Sequence, residues 1–384
     1  MYDFDTIYDR SGTGSLKWDR HAGTDVLPLW VADMDFRAPP AVIDALKIRA
    51  DHGIFGYTMP HADVADEVLA YLKSRHGVDA QPEWLIWYPG MVPALNVACR
   101  ALAASGDGVI TATPIYPPFL SAPAYSDRQL QAVPLRLKGD EWTFDFEAME
   151  ATVTDRTRLF ILCNPHNPVG RVFRRDELER LAEFCIRHDL IICSDEIHCD
   201  LILDDAEHIP LSTLGPEIRD RTVTLHAPSK TYNLPGLCCA YAVIPNPRLR
   251  LEMKKTARGI ITEVNAFGYA GCAAAYRYGE PWRRDLIAYL RANRDLVYDF
   301  ISTRIPEIAL HPMQATYLAW LDVRALKLEQ PTSFFIEHGV GLSDGAHFGG
   351  AGYLRINFGC PRGTLQEALN RMESAVQTLG NRKN

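Results

Sequence analysis

Leu190-Ile-Ile-Cys-Ser-Asp195-Glu-Ile-His198 and, thirty-five positions beyond Asp195, Ala227-Pro-Ser-Lys230-Thr-Tyr-Asn233 decide how this chain is read. The first is a run of strand length that closes on a carboxylate. The second follows another such run, Thr222-Val-Thr-Leu-His226. A cation just after a buried strand needs a partner or a task. An amine that can bond an aldehyde and a carboxylate that can hold a pyridinium are the two groups pyridoxal phosphate requires. The amine anchors the cofactor and then serves as a base, and the carboxylate keeps the ring an electron sink.

Working outward, Val109-Ile-Thr-Ala-Thr113, Leu159-Phe-Ile-Leu-Cys163 and Ala240-Tyr-Ala-Val-Ile244 are also continuous rather than alternating, as strands buried on both faces are. Asp176 to His188 between them has helical spacing, with Leu178, Leu181, Phe184 and Cys185 on one face. This βαβ rhythm predicts an α/β fold with a mainly parallel sheet wrapped by helices. The expected large domain covers 46–285. A smaller α/β domain is expected from 1–45 and 286–384, with a long helix from about Trp282 to Arg304, strands at Tyr317–Val323 and Tyr353–Phe358, and a last helix from about Thr364 to Leu379.

The chain has 384 residues, is 47% hydrophobic and 23% charged, and carries a formal charge of −8, which predicts two ordinary globular cores. Its basic residues form no stripe, so a nucleic-acid partner is not expected. The start, Met1-Tyr-Asp-Phe-Asp5, has no basic or apolar leader, and no run is long enough to span a bilayer, so the expected place is the cytoplasm, with no membrane partner. The nine cysteines include no Cys-x-x-Cys pair and several lie in apolar strands. They read as reduced structural thiols, with no metal site.

Further residues can be read from their chemistry. Tyr88-Pro-Gly-Met91-Val92 opens a helix behind a glycine turn, so its first amides can hold an anion, although an ordinary helix also starts this way. Tyr116 follows a strand at the carboxyl edge of the sheet, where it can stack on an aromatic ring or fill the core. In Asp195-Glu-Ile197, alternation puts Asp195 and Ile197 on one side, the carboxylate toward a ring nitrogen and Ile197 against the ring face. Ser229 is a candidate phosphate contact. Arg355, on an alternating strand with Ile356 and Phe358, can grip an α-carboxylate through two parallel bonds.

Six stretches in order carry a resemblance: Tyr8-Asp-Arg-Ser-Gly-Thr-Gly-Ser-Leu-Lys-Trp18-Asp19, Pro28-Leu-Trp-Val-Ala-Asp-Met-Asp-Phe36, Asn164-Pro-His-Asn-Pro-Val-Gly170, Ser194-Asp-Glu-Ile-His198, Ser229-Lys-Thr-Tyr-Asn233 and Arg355-Ile-Asn-Phe-Gly359. Together they resemble the class I/II aminotransferase group of fold type I pyridoxal-phosphate enzymes, and within it the MalY/PatB branch of cystathionine and cysteine-S-conjugate β-lyases. The resemblance implies an aminotransferase-like large domain with a seven-stranded sheet. It implies that Met91 and Val92 hold the phosphate by their backbone, that Asn167 donates to the phenolic oxygen and that His198 stands near that oxygen. Ala32 and Asp33 are expected to line the substrate pocket through their backbone. The resemblance also implies that Tyr57, in a loop before a helix, reaches the phosphate of a second subunit, giving a homodimer with shared active sites. Relatives carry a phosphate-binding arginine soon after the lysine, and Thr231 to Ala240 has none.

Three functions are open to a chain with this cofactor. Lys230 removes the α-proton, with Tyr57 and Tyr116 beside it in the expected catalytic set. A C–S β-lyase then expels a thiolate and leaves pyruvate and ammonia. An aminotransferase of a neutral or aromatic amino acid would instead reprotonate the cofactor. No second arginine for a distal acid stands out, and the resemblance favours the lyase, with cystathionine or a related conjugate as substrate and methionine biosynthesis as its setting. A cofactor-sensing regulator would carry a fused DNA-binding module, for which residues 1–40 are too short.

Overall fold

The computed structural model describes residues 2–381. Seven strands form one sheet: β1 (Leu85–Tyr88), β2 (Gly108–Thr113), β3 (Gln129–Pro134), β4 (Thr157–Cys163), β5 (Ile191–Asp195), β6 (Thr222–His226) and β7 (Ala240–Val243). Their order is β1-β7-β6-β5-β4-β2-β3, parallel throughout except for β7, which runs antiparallel to both neighbours. The expected mainly parallel, seven-stranded α/β sheet is therefore present.

The continuous apolar runs are explained by burial on both faces. Leu159 and Ile161 join Val109, Val223 and Leu225 in one core. Phe160 and Leu162 point the other way and pack with Ile110 and Ile192 against Leu178, Leu181 and Phe184 of the helix Arg175–Arg187. Two strands have no such run. The edge strand β3 is mostly exposed, and β1 is only four residues long, Leu85-Ile-Trp-Tyr88.

A second, antiparallel sheet contains β8 (Ala309–Leu310), β9 (Leu318–Asp322), β10 (Ser343–Asp344) and β11 (Tyr353–Asn357), in the order β8-β9-β11-β10. The N-terminal segment joins this part. Leu27–Pro28 pairs in parallel with Val340–Gly341, and Phe4, Leu29, Met34 and Phe36 share a core with Leu290, Leu318, Leu354 and Leu365. The helix Glu280–Arg304 runs unbroken past position 285, where the sequence placed a domain edge. No helix among the described residues is long and apolar enough to cross a membrane.

Candidate active site

Five parallel strands deliver the site. Met91 and Val92 follow β1, Tyr116 follows β2, Asn167 follows β4, Asp195 ends β5, and Ser229 and Lys230 follow β6. In an open α/β sheet the carboxyl ends of the strands form the ligand crevice. These residues, with Ala32, Ile197 and His198, line one cavity of about 210 Å³.

Gly90, on the cavity wall, caps the helix Met91–Leu102 with φ +152°, a backbone position that favours glycine, and it supplies no side-chain cap. Pro93 has no N–H, so Met91 and Val92 carry the free amides of the first turn. This end fits an anion.

On the same cavity wall, Lys230 Nζ donates to the Ala32 carbonyl at 2.6 Å. Burial, with Arg355 nearby, pushes its amine down to about 8. Asp195 Oδ1 accepts from the Ile197 N–H at 3.0 Å, and burial pushes the carboxyl up to about 7. Lys230 offsets only part of this burial cost, and a protonated ring nitrogen beside the carboxylate would offset more. Burial holds His198 down to about 3, so it is neutral, and its Nδ1 is buried without a hydrogen-bond partner. Tyr116 backbone N–H donates to the Asn167 carbonyl at 3.1 Å, which fixes both at the cavity wall, and burial raises the Tyr116 phenol. The amine, the carboxylate, the open helix start and the unpartnered His198 nitrogen together fit pyridoxal phosphate.

Arg355 lies beside this cavity, on β11. Its guanidinium donates to Asn167 Oδ1 at 3.0 Å, the Trp30 carbonyl at 2.9 Å and Ser343 Oγ at 3.4 Å, with Phe348 4.6 Å from it. Nε is buried and unpartnered. Every acceptor is neutral, and burial pulls the group down to about 10. With Oδ1 of Asn167 engaged by Arg355, its amide nitrogen is left as a donor.

Two expected residues do not line this cavity within one chain. Asp33 is outside the cavity wall, and its carboxylate pairs with Arg10 at 2.7 Å and Lys17 at 3.7 Å. Tyr57 is fully exposed among Ile48, Ile54, Phe55 and Met59, also exposed, on a surface distinct from the cavity.

The sequence did not reveal what holds the N-terminal segment over Lys230. Lys17, fully buried, bonds Asp35 at 2.7 Å, and Arg10 and Trp18 Nε1 bond the same carboxylate at 2.6 and 2.8 Å. Asn233 accepts from Met34 N–H and donates to the Met34 and Phe36 carbonyls; Asn357 donates to those of Val31 and Asp33. Tyr317 shares the Ala32 carbonyl with Lys230. The charged Tyr8–Asp19 and Trp30–Phe36 motifs thus build the wall. Their signal was an unusual density of charged and aromatic residues in a segment without helical or strand period.

Comparison with known proteins agrees with this geometry. The family described as aminotransferase class I and II matches residues 24–372. Cystathionine beta-lyase PatB of Bacillus subtilis (strain 168) is 40% identical over 97% of this chain and 100% of its own length. The crystal structure of cystalysin from Treponema denticola, which contains pyridoxal 5'-phosphate, superposes with a TM-score of 0.95 at 35% identity, covering 99% of this chain and 100% of that one. The structure of the PLP-bound C-S lyase from Staphylococcus hominis gives 0.91 at 29% identity, covering 98% of each chain. The chain therefore belongs to the class I and II aminotransferase family, among its pyridoxal-phosphate-dependent enzymes and on the side of the cystathionine β-lyases.

Proposed function

We propose that this enzyme is a C–S β-lyase that cleaves cystathionine or a related cysteine S-conjugate to a thiol, pyruvate and ammonia. The observation that carries the reading is Arg355, a buried guanidinium whose partners are all neutral beside a buried lysine with a depressed amine. A buried cation without an anion is costly, and a substrate α-carboxylate relieves it. The relatives named as cystathionine and C–S lyases support the choice of reaction. So does the cavity wall, which holds no arginine for a distal acid among the described residues.

Held by these residues, pyridoxal phosphate would supply a protonated ring able to draw electrons from the substrate's α-carbon. The chain's own groups do the rest. Met91 and Val92 amides, with Ser229, hold the phosphate, and Asp195 keeps the ring nitrogen protonated. Asn167 donates to the phenolic oxygen, with neutral His198 nearby. Arg355 orients the amino acid by its carboxylate. Lys230, its amine pushed down to about 8 by burial, is the base placed to take the α-proton. The α-carbon's electron pair then forms the carbon–carbon double bond as sulfur leaves with the C–S pair as a thiolate, and water hydrolyses the released enamine to pyruvate and ammonia.

Two copies share each site in this reading. The exposed Ile54, Phe55, Tyr57 and Met59 support a homodimer in which Tyr57 reaches the partner's phosphate. The division into 46–285 and 1–45 with 286–384 belongs to the same proposal, as does a cytoplasmic setting, which fits nine free cysteines. Product analysis with cystathionine tests the reaction. Thiol and pyruvate released over many turnovers without a keto acid support the lyase; turnover that requires a keto acid identifies an aminotransferase.

A further inference from the structure

Glu196 and Cys199 flank the cofactor-lining Ile197 and His198 but do not line that cavity. Cys199 opens instead on a second cavity of about 600 Å³, together with His76, at the end of the helix Ala62–His76, and His208. One potential ligand atom from each of these three residues lies within 4.8 Å of the other two. His76 Nε2 is 3.5 Å from Cys199 Sγ. A tetrahedral ion at about 2.3 Å from sulfur and about 2.0 Å from nitrogen separates its donors by about 3.5 Å.

His208 supplies an independent sign. Its Nε2 meets Glu196 Oε2 at 2.9 Å, while its Nδ1 is buried with no hydrogen-bond partner, and its side chain is 2% exposed. A carboxylate on one ring nitrogen that fixes the other as a free donor is the arrangement of a metal-binding histidine. Asp200 adds buried negative charge, with Oδ1 at 3.4 Å from His76 Nε2. Tyr71 OH lies 2.9 Å from that nitrogen, and it keeps a 2.6 Å bond to Asp200 Oδ2 if the nitrogen turns to a metal.

We propose that His76, Cys199 and His208 bind one zinc-class divalent cation, with the fourth position open to water from the second cavity. A thiolate with two imidazoles selects zinc over calcium or magnesium. Binding forms an S–Zn bond and releases the thiol proton to solvent. The ion ties the Asp195–His198 segment to the helix that follows the Tyr57 loop.

The test uses holoenzyme loaded with zinc, desalted into metal-free buffer, and titrated against a chromophoric chelator. The wild type retains one zinc per chain, and Cys199→Ser and His208→Gln each weaken binding about tenfold or more. X-ray absorption at the zinc edge of the wild type requires no variant and shows one sulfur and two imidazoles bonded to the ion. Failure to retain zinc, unchanged affinity in both folded variants, or an ion without a sulfur ligand overturns the proposal.

Discussion

Replacing Arg355 by Lys probes the carboxylate grip with the charge preserved. The guanidinium holds Asn167 Oδ1 at 3.0 Å and the Trp30 carbonyl at 2.9 Å, and it has a free buried Nε. It can therefore present two donors to a carboxylate while staying anchored. Lysine presents a point charge, which keeps one such bond and loses the fork. A hydrogen bond to a charged group contributes about 1.5–3 kcal/mol. Its loss lowers kcat/KM by about 10- to 150-fold, mostly through KM. The assay is steady-state pyruvate release from cystathionine and from its α-carboxamide, with cofactor content checked by absorbance. The free acid loses part of its advantage over the amide in Arg355→Lys, whereas a general folding defect lowers both equally. An unchanged ratio of the two substrates refutes the assignment.

Three other outcomes are expected from the same geometry. Cofactor uptake by the apoenzyme needs a neutral Lys230, so its rate rises with pH and levels off above about 8; a midpoint still climbing toward 10.5 contradicts the buried amine. The Asp195 carboxyl is pushed up from 3.8 to about 7, so between those values the folded apoenzyme holds a proton that the unfolded chain releases. Apoenzyme stability falls as pH rises through that window, and Asp195→Asn removes the penalty. The variant should melt higher than wild type as apoenzyme at pH 8 yet lose most activity as holoenzyme, and a lower-melting apo variant counts against a strained carboxylate. Tyr57→Phe leaves monomer packing untouched because the side chain is fully exposed. It should weaken cofactor retention by about 10- to 150-fold if one charged hydrogen bond is lost, and unchanged retention in a dimeric variant removes Tyr57 from the shared site.

Local pattern made part of the fold and site legible in the sequence. The runs at Leu159–Cys163 and Thr222–His226 announced buried strands because both of their faces are covered. Lys230 and Asp195 stood out because a charge at the end of such a run demands a reason. The edge strand Gln129–Pro134 was illegible because its side chains alternate little and face solvent. The antiparallel direction of Ala240–Val243 was equally hidden, since a strand buried on both faces looks the same either way. The Lys17–Asp35 and Arg10–Asp33 pairs, and the meeting of His76 with Cys199 and His208, are products of long-range folding that no local period records.

The central claim is that carbon–sulfur cleavage occurs in the Lys230 site. The most direct measurement is nuclear magnetic resonance of holoenzyme turning over cystathionine labelled with carbon-13 at the β-carbon of its cysteine-derived half, in deuterated water and without a keto acid. The label is predicted to move to the methyl carbon of pyruvate, with deuterium on that methyl and free thiol in equal amount. Label that remains bonded to sulfur while the α-carbon becomes a ketone would contradict it.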